Sequence, residues 1–170
     1  MSEHPLAYFI TFHTYGSWLH GQAPGLVDRE HNVPGSPWID PDPDQLRRNR
    51  DRMAQPPYLL DARRRTIVRD ALVDLCRFRN WLLRALHVRT NHVHLVVSAP
   101  RDPEFVMRSC KAHASKCLTL AGFETADRKR WTTHGSTKYP WSEEAIAKAI
   151  AHTLDGQGER MAVYPDDAVS

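Results

Sequence analysis

Two short apolar runs separated by three polar residues set the strongest constraint on the fold. Residues 81–98 read WLLRALHV, then RTN, then HVHLVVS. Runs of this length rich in Val and Leu suit strands, and the polar break returns the chain on itself. The segment is expected to be a β-hairpin, with strands at Trp81–Val88 and His92–Ser98. In the second strand alternate residues point to one face, so His92 and His94 face together and Val93 faces away.

The flanking sequence supplies partners for this hairpin. Leu6–His13, rich in β-branched and aromatic residues, reads as an earlier strand. A proline-rich irregular stretch follows over about 15–60, including PGSPWIDPDPDQ. A loop that long in one domain is usually an insertion or functional. From Asp61, apolar residues recur at Ile67, Val68, Ala71, Leu72, Leu75 and Phe78, a helical stripe with Asp61 as its N-cap. Pro103 opens a second helix that stops near Ala121–Gly122. Residues 128–141, RKRWTTHGSTKYPW, read as a short strand and loop of basic and aromatic character. Ser142 with Glu143 and Glu144 starts a last helix, ended near Leu154 by Gly156 and Gly158. The order is β-α-β-β-α-β and a final helix, which predicts a single α+β domain over 1–170. Its expected architecture is ferredoxin-like: an antiparallel sheet, helices on one face, and a C-terminal helix.

Composition narrows the setting. Hydrophobic residues are 41% and charged residues 25%, which suits a globular chain. No stretch approaches a membrane span, and Met1–Pro5 has no signal-peptide core, so the cytoplasm is the expected compartment. Cys76, Cys110 and Cys117 lie in helical apolar patterns without paired spacing and read as core thiols. The net charge is only +3, but arginine crowds at 47, 48, 50 and 52 and again at 63–65. Lys111, Lys116, Arg128, Lys129 and Arg130 add to it. An uneven basic surface suits a phosphate backbone; it also suits an ordinary solvated helix face.

Two neutral imidazoles at i, i+2 can share one divalent cation, and Asn91 is placed to orient a ring through a hydrogen bond. Such a pair needs a further ligand to hold a metal while leaving positions open for substrate. An edge strand with two satisfied histidines is the plainer alternative.

At this point three segments, in order, resemble a known family. YFITFHTYGSWLHG at 8–21, NHVHLVV at 91–97 and GSTKYPWSEEA at 135–145 are similar to segments of the HUH endonucleases. Within that group they resemble the insertion-sequence single-strand transposases and their REP-associated tyrosine transposase relatives. The resemblance implies a central histidine strand and a Mg²⁺ or Mn²⁺ ion held by His92 and His94. It implies a tyrosine on the last helix that attacks a single-stranded DNA phosphodiester and leaves a 5′-phosphotyrosine. It also implies a polar residue on that helix, often Gln, completing the metal site. The implied partner is single-stranded or hairpin DNA, bound by a nucleoid-associated monomer or homodimer. Lys111, Lys116, Arg130 and Lys138 are the candidate DNA contacts.

The chain departs from this pattern at the nucleophile. The position expected for the tyrosine holds His152, and no tyrosine lies between Tyr139 and Tyr164. At ~100° per residue His152 lies opposite the Ile146–Ile150–Leu154 stripe, free to face a site or solvent. Gln157 is the candidate third ligand. Arg89-Thr90 stands where Met-Pro often precedes the Asn-His pair. Three readings follow. The protein is an active nuclease using His152 or a displaced tyrosine; or it is a transposase relative that keeps metal and DNA binding without strand transfer, an inactive single-strand DNA or RNA binding module; or it is a ferredoxin-like binding module of another kind, using its sheet as an RNA or DNA platform.

Overall fold

The computed structural model describes residues 5–17 and 43–166. Most of the proline-rich stretch expected to be irregular, residues 18–42, lies outside them. Among the described residues there are nine elements: β1 (Tyr8–Thr14), α1 (Pro43–Asp51), α2 (Ala62–Arg79), β2 (Leu82–Val88) and β3 (His92–Ser98), then α3 (Pro103–Leu120), β4 (Trp131–Lys138), α4 (Glu143–Asp155) and β5 (Ala162–Tyr164).

Local chemistry accounts for the helix boundaries. The Asp61 side chain accepts from the Arg64 backbone N–H at 2.9 Å, and Asn80 closes α2 in the left-handed region at φ 55°. Asp102 caps α3 through the Glu104 and Phe105 N–H groups, with Pro103 at the first position, where a missing N–H costs nothing. Ser142 caps α4 through the Ala145 N–H, and Glu143 and Glu144 face the positive end of its dipole.

The strands form one antiparallel sheet in the order β4-β1-β3-β2-β5. The first four strands give the ferredoxin-like arrangement, so the fold is α+β as expected. β3 is central, paired with β1 and β2 along its whole length. Its Val93, Leu95 and Val97 enter the main core with Ile10, Phe12, Leu86 and the buried sides of α2 and α3. The opposite face carries a smaller core of Phe9, Ala85, Val96, Ile146 and Leu154, which seats α4. Cys76 and Cys110 are buried in the main core.

Three details differ from the sequence reading. α1 occupies part of the stretch read as irregular. It buries no side chain, so it carries no apolar stripe to read. β5 follows the last helix and pairs with the β2 edge through only three residues, too few to show alternation. Phe78 is not a core residue: it is 80% exposed, because Cys76, one turn after Leu72, takes the inward position in the last turn. Among the described residues no helix is long and apolar enough to cross a membrane.

Candidate metal centre

The smaller core leaves room for polar side chains at one end of the sheet. Beside α4 the alternation of β3 points His92, His94 and Val96 to the same face. Register then fixes their neighbours. Thr11 and His13 of β1 lie opposite His94 and His92, and His87 of β2 lies opposite His94 from the other side. The rings of His92 and His94 have centroids 4.7 Å apart, and His13 lies 5.6 Å from His92.

Hydrogen bonds orient the two imidazoles. His92 Nδ1 is 2.7 Å from Asn91 Oδ1, which can only accept, so that nitrogen carries the proton and Nε2 keeps its lone pair. His94 Nδ1 is 2.7 Å from the Thr11 hydroxyl, a group able to donate or accept. His94 Nε2 is 3.1 Å from Gln157 Oε1. The other end of that amide donates from Nε2 to His152 Nε2 at 2.9 Å. Without a cation, His94 Nε2–H donates to Gln157 and the Thr11 hydroxyl donates to Nδ1. The other tautomer reverses the Thr11 bond and turns the Nε2 lone pair toward the same space as Gln157 Oε1.

Burial keeps these rings neutral. It pushes His94 down to about 3, with the neighbouring His92 adding to the effect. Burial likewise lowers His13 to about 4 and lowers His92, where a hydrogen bond with Gln157 partly offsets it. Neutral imidazoles are what a cation requires, and the tautomer fixed at His92 is the one that keeps the Nε2 lone pair. Among the described residues no three His, Cys, Asp or Glu side chains converge as ligands. The donor set this site could offer a cation is two imidazoles and one amide oxygen. It fits a divalent ion of imidazole affinity with coordination positions left open, and fits Mn²⁺ better than Mg²⁺, which favours oxygen donors.

His87, which the sequence reading did not single out, ties the site together from behind. It is fully buried; its Nδ1–H donates to Thr153 O at 2.9 Å, and it accepts the Met161 N–H at 3.0 Å. Those bonds fasten α4 and the approach to β5 onto β2. Thr11 and His13 were also missed. Their signal was present: they alternate with Ile10 and Phe12 in β1, polar on one face and apolar on the other.

The remaining candidates divide. His152 is exposed, beside Phe9 and 5.9 Å from His94 by ring centroids. Lys116 and Lys138 are exposed. Lys111 donates to the Thr132 and His134 carbonyls at 2.8 and 3.3 Å, so its ammonium already serves the irregular start of β4. Arg130, expected among the DNA contacts, is buried in the fold instead. It is 2% exposed and donates to Phe123 O at 2.6 Å and Thr119 Oγ1 at 3.1 Å, with Glu124 beside it.

No protein-family profile matches the chain, and no curated protein matches it in sequence. Two solved structures are similar in backbone path. One is a REP-associated tyrosine transposase bound to a REP hairpin, with a TM-score of 0.47 and 13% identity over 91% of this chain and 71% of that one. The other is a candidate transposase from Deinococcus radiodurans R1, with a TM-score of 0.44 and 16% identity over 86% of this chain and 87% of that one. What the site can do rests on this chain's own side chains.

Proposed function

We propose that this protein binds a divalent metal and single-stranded or hairpin DNA in the manner of a transposase-like HUH domain, without tyrosine strand transfer. The observation that carries this reading is the convergence of His92, His94 and Gln157 on one face of the central strand, with His94 Nε2 and Gln157 Oε1 3.1 Å apart. Two donor atoms at that separation suit adjacent positions on one cation. A bound Mn²⁺ or Mg²⁺ would polarise a phosphoryl oxygen. Around it, Asn91 fixes the His92 tautomer, Thr11 steadies His94, and α4 brings the amide. The three matching sequence segments supply the DNA partner. Exposed Lys116, Lys138 and the α1 residue Arg50 are among the cations that its phosphates could meet.

Calorimetric titration of the metal-free protein with Mn²⁺ tests the site. The wild type is expected to bind one equivalent, and the double variant His92→Ala/His94→Ala none. Equal affinity in the two proteins would refute the reading.

A further inference from the structure

We infer that His152 is a positioning residue that holds the Gln157 amide with its carbonyl oxygen toward His94. This inference rests on the reading of His92, His94 and Gln157 as a metal site. A glutamine amide has two ends of nearly equal shape and opposite polarity. Only the oxygen end can serve a cation; the amino end would present positive hydrogens to it. Gln157 follows the helix, beyond Gly156, and the main chain holds its amino end only loosely, through the His152 carbonyl at 3.4 Å. The His152 ring holds it more closely. Its Nε2 accepts the Gln157 N–H at 2.9 Å, and that bond turns Oε1 onto His94 Nε2.

The packing of the helix terminus agrees with this role. A Cβ built on Gly156 would lie 2.9 Å from His152 Nδ1 and 2.8 Å from His152 O. Glycine at 156 therefore leaves space for the ring to lie back over the end of α4, against Phe9. One ring nitrogen faces that terminus and the other is engaged by Gln157. Neither is left to attack a phosphorus. The residue at the position expected for a nucleophile thus acts on the ligand set instead.

Mn²⁺ affinity measured on wild type, His152→Ala, His152→Gln and His92→Ala separates the outcomes. Loss of the acceptor in His152→Ala is expected to weaken binding about tenfold, and His152→Gln, whose carbonyl can take the same N–H, to restore it to within about threefold. The exposed ring predicts unchanged thermal midpoints for both variants. ¹⁵N spectra with diamagnetic Zn²⁺ give a second readout: ring nitrogens of His92 and His94 move to ligated values, and those of His152 do not. Wild-type affinity in His152→Ala, with binding lost in His92→Ala, would overturn the positioning role alone. So would failure of His152→Gln to restore binding, or a ligated shift at His152. Wild-type affinity in His92→Ala would instead overturn the metal reading beneath it.

Discussion

Cutting Arg130 back to Ala should damage the fold and spare the metal site. Its guanidinium bridges the Phe123 carbonyl and the Thr119 hydroxyl, and it lies beside Glu124, which also bonds Arg64 and Tyr58. Removal leaves a half-buried carbonyl without its donor and Glu124 with one cation fewer, so Arg130→Ala is expected to cost about 2 to 3 kcal/mol in urea unfolding. Mn²⁺ affinity should be unchanged. A variant of wild-type stability that binds DNA more weakly would return Arg130 to the DNA contacts. From the sequence, Arg130 was one more cation in a basic run; what buries it is the Phe123–Glu124 turn and Tyr58, which sits 72 positions earlier in the chain. His92 and His94 were legible for the converse reason. Their spacing is local, and a strand converts it directly into a shared face.

The elements that could be read were those with long periodic patterns and explicit caps. Asp61, Asp102 and Ser142 each accept backbone N–H groups at the expected helix starts. β5 and α1 could not be read, because one is three residues long and the other has no buried face. His87 was equally opaque, since both of its partners arrive from the other end of the chain, 66 and 74 residues on. α4 itself matters most for the site, because Gln157 follows directly from it. It is seated by few apolar side chains, chiefly Ile146 at 2% and Leu154 at 9% exposure. Ile146→Ala is expected to cost about 2 to 3 kcal/mol. It should also speed amide hydrogen exchange in α4 selectively and weaken Mn²⁺ binding. Exchange raised equally in α2 and α3 would show that α4 is not a separately stabilised unit.

At the scale of the molecule, the histidine face carries an acid-sensitive stability and no tyrosine. In the metal-free protein burial holds His13, His87, His92 and His94 below the ordinary value of 6.5, His13 at about 4 and His94 at about 3. Below pH 6.5 the unfolded chain takes up protons that the folded chain refuses. Stability is therefore complete above 6.5 and falls as pH drops through the window down to about 3. Urea midpoints that stay flat between pH 7 and 5 would contradict this. Whether DNA bound as proposed could be attacked by a phenol turns on where the tyrosines lie. The chain has five. Tyr8, Tyr15, Tyr58 and Tyr164 pack with the main core, on the α2–α3 side of the sheet. Tyr139 meets the Tyr8 ring at 6.0 Å, at the end of β1 remote from His13. No phenol therefore reaches the phosphate that His92, His94 and Gln157 would hold, and misplacement by even ~1 Å can cost on the order of a hundredfold in rate. Incubated with Mn²⁺ and labelled hairpin DNA, the wild type should shift the DNA on a native gel and lose that shift as salt rises. On a denaturing gel no label should stay with the protein. A covalent adduct stable to mild acid, abolished by Tyr139→Phe or Tyr164→Phe, would show that a tyrosine reaches the site after all. An acid-labile adduct would assign the attack to a histidine.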